Sequence, residues 1–230
     1  MADDDLDAVV RRVDPDRWLS SRFVTDPALR SDVVTLYAYD QELSRAGRVT
    51  SNTLLAEIRL TWWREALDEM FAGGPVRYHP AAARLTEVVR RHALPREPLE
   101  AMIDGRVETL GAAELTLEEA LRWSEAVAGS AASLAGAILD PAAPRSTLAG
   151  GGALWGLSAL ARAGLTRRAG AAAHIDRVLP GVARDAARLS PKAFPAIAHA
   201  TLARGLARAG DRRPLVRRAR LIAAVTTGRV

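Results

Sequence analysis

The chain contains no cysteine among its 230 residues. That absence excludes a disulfide framework and a thiolate metal site. Long apolar runs are missing too. The longest nearly apolar stretch, Ala126–Leu139, has 14 residues and is rich in alanine and glycine, whereas a membrane-spanning helix needs about 20. The acidic start MADDDLD lacks the apolar segment of a secretory signal. These absences lead to the expectation of a soluble, cytoplasmic protein. Aromatic residues are few, with 3 Phe, 3 Tyr and 5 Trp. No nucleic-acid-binding module is present, so a nucleic-acid partner is not expected. No stretch alternates apolar and polar residues as a half-buried strand would.

Acidic residues are scarce in one half only. Residues 1–125 carry 16 basic and 23 acidic side chains, a net charge of −7, while residues 126–230 carry 16 and 4, a net of +12. A solvated arginine-rich face explains the second half most simply. The alternatives are an acidic partner or peripheral contact with anionic lipid at the inner face of a membrane.

What is present is helical pattern, rich in alanine, leucine and arginine. Asp26-Pro27 reads as an N-cap followed by proline at the first helical position. The stripe Leu29, Val33, Leu36, Tyr37 then has helical spacing. A second helix is predicted from Ser51 or Asn52 to Gly73-Gly74, a third over Pro80–His92 and a fourth over Pro98–Leu110. Thr116 and Glu119 form a capping box for a fifth, reaching about Leu139. Asp140–Gly152, with two prolines and three consecutive glycines, reads as a long loop. Ser190-Pro191 opens a late helix with Phe194, Ile197, Thr201 and Leu202 on one face. A last basic helix includes Leu215, Ala219 and Ile222. The expectation is one all-α domain of about eight helices spanning residues 1–230.

Two places put polar groups where apolar ones belong. On the helix TLLAEIRLTWWREALDEMF, at 100° per residue, Leu55, Ile58, Trp62, Trp63, Ala66, Leu67 and Met70 share one broad arc. Arg59 lies near its middle. That position implies that Arg59 is buried, and a buried guanidinium is costly unless paired. It should contact a carboxylate or tryptophan, or line an anion site. Tyr37, Asp40, Ser44 and Arg48 lie within roughly 80° of one another and continue an apolar stripe into polar residues. They would form either the wall of a buried polar cavity or the point where the helix leaves the core.

The stretches LYAYDQELSR (36–45), EIRLTWWREALDEMFAG (57–73), HPAAARLTEVVRRHALPREPLEAMIDGRVETL (79–110) and SPKAFPAIAHATLARGLAR (190–208) together resemble the squalene/phytoene synthase family. The likeness is strongest to bacterial members similar to the mitochondrial complex I assembly-factor branch. It implies an all-α isoprenoid-synthase-like bundle around a central cavity. Working members carry two aspartate-rich motifs whose carboxylates hold Mg²⁺ against a diphosphate leaving group. Here Ser44 and Arg48 stand at the first motif's positions. At the second, Arg162 matches the family's arginine, but Ala163 and Arg167 replace the aspartates. The resemblance therefore implies a non-catalytic member without a metal cofactor, acting on a prenyl or other anionic lipid or on a protein of respiratory complex assembly. Tyr37, Asp40, Ser44, Arg48, Arg59, Trp63, Arg162 and Arg167 would line the cavity or bind an anion. The alternative is a Mg²⁺-dependent head-to-head prenyltransferase with Asp40 and the i, i+4 pair Asp104 and Glu108 as substitute ligands.

Overall fold

The computed structural model describes residues 3–48, 53–75, 77–209 and 214–230; the side chains of residues 3–5, 47, 48 and 209 lie outside the description. The predicted starts at Ser51 or Asn52 fall outside it as well. Among the described residues the structure is all-α, and β pairing is limited to one bridge between Leu115 and Thr166. In chain order the α-helices are α1 (Asp3–Val13), α2 (Pro15–Ser21), α3 (Pro27–Arg48), α4 (Thr53–Phe71), α5 (Pro80–His92), α6 (Arg96–Glu108) and α7 (Leu117–Trp123). After these come α8 (Ser130–Leu139), α9 (Arg145–Ala163), α10 (Arg168–Ala186), α11 (Ala203–Ala209) and α12 (Pro214–Thr227). Most expected boundaries hold to within a turn.

Helix α3 is the spine, with residues 32–40 buried without interruption. The carboxylate of Asp26 accepts the Ala28 backbone N–H at 2.7 Å, which starts the helix as its sequence suggests. Further along, buried Asp32 accepts from Arg91 at 2.7 Å and lies 2.8 Å from His92 Nε2, tying α3 to the last turn of α5. The capping box at Thr116 and Glu119 is formed.

Two regions differ from the sequence reading. The stretch expected as a loop becomes helix at Arg145 and stays helical through Gly150, Gly151 and Gly152. Close packing explains why glycine is there: a Cβ on Gly152 would lie 2.3 Å from the Ala128 carbonyl oxygen, and one on Gly156 would lie 2.6 Å from the Ala128 Cβ. Glycines four apart on one face let α9 approach the π-helical turn Ser124–Gly129, which is the part of the fifth predicted helix joining α7 to α8. The late helix is also divided. Short 3₁₀ turns, Phe194–Ala196 and Ala198–Leu202, precede α11, and residues 193–200 are buried throughout.

The final helix forms where expected. Leu215 is 76% and Ile222 46% exposed, while Leu221 and Ala224 are buried.

Candidate functional site

The centre of the bundle holds a closed set of charges. Asp14 caps α2, its carboxylate accepting the Arg17 backbone N–H at 3.2 Å. One helical turn later, the Arg17 guanidinium donates to Asp14 Oδ2 and to Asp40 Oδ2. Arg106, from α6, donates to Asp40 Oδ1, to the Asp40 carbonyl oxygen at 3.3 Å, and to the Met102 carbonyl of its own helix at 2.7 Å. Asp14, Arg17, Asp40 and Arg106 are all buried. Two carboxylates and two guanidiniums balance in charge.

Rings complete the enclosure. The Arg17 guanidinium carbon lies 4.8 Å from the Tyr37 ring centre and 4.7 Å from that of Trp155, a cation–π sandwich. Trp155 meets His199 edge-on at 5.2 Å. Around this guanidinium, the buried Tyr37 hydroxyl, Trp155 Nε1 and His199 Nδ1 have no hydrogen-bond partner among the described residues. The neighbouring Tyr39 faces elsewhere and donates its hydroxyl proton to the Leu99 carbonyl at 2.9 Å.

Burial opposes the charges of Asp40 and Arg17, and the ion pairs outweigh it. For Asp40, burial favours the protonated form, yet Arg17 and Arg106 hold its pKa below the usual carboxylate range. For Arg17, burial likewise works against the charge, but Asp14 and Asp40 hold its pKa above the ordinary value. For Tyr37 burial outweighs the opposing charge of Arg17 and raises its pKa, so it remains a neutral phenol. His199 is pushed down to about 3, first by burial and then by the positive charge of Arg17, and so is neutral at physiological pH.

The expected site residues divide between this centre and the surface. Tyr37 and Asp40 belong to the centre. Ser44, a turn beyond Asp40, is half-buried. Arg48 ends α3, and its side chain lies outside the described residues. Trp63 is buried in a different cluster, 5.2 Å from Tyr39, 5.0 Å from Trp62 and 5.1 Å from His79 between ring centres. Arg59 corrects the helical-wheel expectation: it is exposed. It lines a surface cleft of about 230 Å³ with Glu42, Arg45, Trp62, Trp63 and His79. The apolar arc of α4 is wider than the core it faces. Ala56, Leu60, Trp63, Ala66, Leu67 and Met70 are buried, while Leu55 and Ile58 are 47% and 55% exposed. Arg59 lies on the border of the two zones. Arg162 is exposed at the end of α9. Arg167 has an 88% exposed side chain, 3.6 Å from Glu114. Among the described residues, the guanidiniums that pair with Asp40 are those of Arg17 and Arg106, not of Arg162 or Arg167. The substitute carboxylates also stay apart from Asp40: Asp104 pairs with Arg64 at 2.5 Å on the surface, and Glu108 is exposed. Among the described residues, no three His, Asp or Glu side chains gather as metal ligands would.

Sequence reading missed Asp14, Arg17, Arg106, Trp155 and His199. A signal existed for Arg106. Leu99, Met102 and Ile103 are buried on α6, and Arg106 follows at i+7, i+4 and i+3 on the same stripe. The criterion applied to Arg59 holds for Arg106.

Comparison with known proteins agrees with this architecture. The squalene/phytoene synthase family profile matches residues 10–163. The complex I assembly factor 6 of NADH dehydrogenase (ubiquinone) from Rattus norvegicus is 29% identical over 102 residues, and that of Bos taurus 28%; each match covers 44% of this chain and 30% of the relative. This chain therefore matches about a third of those relatives' length. Among solved structures, a dehydrosqualene synthase in complex with ligand superposes with a TM-score of 0.74 at 12% identity, covering 98% of this chain and 95% of that one. Squalene synthase HpnC from Alicyclobacillus acidocaldarius gives 0.69 at 15% identity, covering 98% and 94%. At such identities the superpositions establish the fold alone. With two-thirds of its length matched by the family profile and its whole bundle shared with these synthases, the chain belongs to the squalene/phytoene synthase family.

Proposed function

We propose that this chain is a non-catalytic member of its family that works by binding, in the manner of a respiratory-complex assembly factor, with a protein or an anionic prenyl-type lipid as partner. The observation that carries the reading is the state of Asp40. Both of its carboxylate oxygens are engaged by buried guanidiniums. Magnesium would need free carboxylate oxygens, and Arg17 and Arg106 occupy the space such an ion would take and would repel it. The residues around Asp40 therefore do not fit the metal that the family implies. Ser44, Arg48, Ala163 and Arg167, at the positions where the family resemblance expects aspartates, support the same reading. The names of the rat and bovine relatives support the assembly role, on a matched segment that is 30% of their length.

The likeness to a dehydrosqualene synthase keeps a second reading in view, a Mg²⁺-dependent head-to-head prenyltransferase. One experiment separates them. The purified chain is incubated with farnesyl or geranylgeranyl diphosphate and Mg²⁺, and the products are analysed. The expected result is intact substrate with no pyrophosphate released. A condensed prenyl product would overturn the non-catalytic reading.

A further inference from the structure

Among the described residues, two helices present exposed apolar faces, and they differ in the charges around them. On α4 the exposed apolar residues are Leu54, Leu55 and Ile58, and charges of both signs, Glu57, Glu65 and Asp68 with Arg59 and Arg64, are exposed on the same helix. On α12 the exposed apolar residues are Leu215, Val216, Ala219, Ile222 and Ala223. At 100° per residue they span an arc of roughly 120°. Arg218 and Arg220, both exposed, stand on its two margins. The sequence PLVRRARLIAAVTT contains no acidic residue. The opposite face is anchored: Leu221 is buried with Leu202 and Leu206 against Leu19 and Phe23, and Arg217 pairs with Asp16 of α2. The stripe is thus held outward by the fold.

From this arrangement we propose that α12 docks the protein on an anionic lipid surface, with Leu215, Val216 and Ile222 entering the headgroup–acyl boundary and Arg218 and Arg220 meeting lipid phosphates. An apolar stripe with a cation on each margin is the pattern of a helix lying in the plane of a membrane interface. Charge complementarity selects an anionic lipid, since cations beside an apolar face gain from a negative surface. A nucleic acid would use the arginines and leave the stripe in water. At 14 residues the helix is about 21 Å long, and no described helix is long and apolar enough to cross a membrane, so the contact is peripheral. This inference is independent of whether the chain is catalytic.

The test is flotation of the full chain with phosphatidylcholine vesicles, with and without phosphatidylglycerol. Binding is expected only to the anionic vesicles, falling as salt is raised. Ile222→Glu should weaken it about tenfold or more, and Arg218→Glu about fivefold or more. Ile58→Glu, on the α4 stripe, should leave it unchanged. Thermal unfolding followed by circular dichroism confirms that each variant is folded; if Ile222→Glu is not, Leu215→Glu replaces it. No flotation with anionic vesicles overturns the proposal. So does flotation that survives Ile222→Glu, or loss that follows Ile58→Glu instead. Concentration-dependent dimerisation abolished by Ile222→Glu, with no flotation, would assign the stripe to a second copy of the chain.

Discussion

Arginine plays opposite parts in two regions of this molecule. Arg17 and Arg106 are buried between carboxylates and rings at the centre of the bundle. Arg162 and Arg167 stand in solvent where α9 gives way to α10. All four are basic residues in a family whose chemistry depends on carboxylates, and only the first pair carries structural consequence. Burial makes the difference: an ion pair removed from water becomes costly to break, whereas an exposed one is screened and contributes little.

The largest test of that contrast is deletion of one guanidinium on each side. Arg17→Ala would leave the buried Asp14 carboxylate without its guanidinium and Asp40 with Arg106 alone. It should lower unfolding free energy by about 3–5 kcal/mol, read from the shift of the urea midpoint. Arg167→Ala should change it by less than about 0.5 kcal/mol. Comparable losses in the two variants would erase the distinction.

Glycine provides a second pair. Gly152→Ala forces a methyl group against the Ala128 carbonyl and should cost about 1–3 kcal/mol. Gly150, whose nearest obstacle to a Cβ is Val182 at 3.6 Å, should tolerate alanine. It should gain up to about 1 kcal/mol in helix propensity. Thermal unfolding of the two variants decides whether α9 is set by close approach or by propensity.

These pairs also show what the sequence could and could not disclose. Caps and stripes were legible because they are local: Asp26-Pro27, Thr116 with Glu119, the apolar row of α3 and the bounds of α5 all appear as read. The glycine run at 150–152 misled because its reason is tertiary, a contact with Ala128 some 24 positions earlier. Arg59 misled because apolar residues wrap most of the way round α4, and a helical wheel cannot tell which part of a wide arc will be covered. Asp40 was legible as polar on a buried stripe. Its partners come from α2 and α6, and no spacing rule links residues 17, 40 and 106.

Histidine carries the contrast into pH dependence. His199 has a folded pKa of about 3, below the ordinary value near 6.5. The unfolded chain therefore takes up a proton first as pH falls, and stability declines through the window from about 6.5 towards 3. The slope should be about 1 kcal/mol per pH unit. His79 and His174, also pulled down by burial but partly exposed, add to it. His199→Gln should remove most of the slope between about pH 6.5 and 4.5 in chemical denaturation. An unchanged slope would show that His199 is not neutral and buried. The smallest effect belongs to Arg59→Leu, whose side chain is exposed; differential scanning calorimetry should register a change below about 0.5 kcal/mol.

The central proposal is that Asp40, with both carboxylate oxygens engaged by internal guanidiniums, binds no metal. Calorimetric titration of the wild-type chain with Mg²⁺ addresses it directly. The account predicts heats no larger than those of dilution at every point. A tight, saturable site that disappears in Asp40→Asn or Asp104→Asn, both shown to be folded, would contradict it.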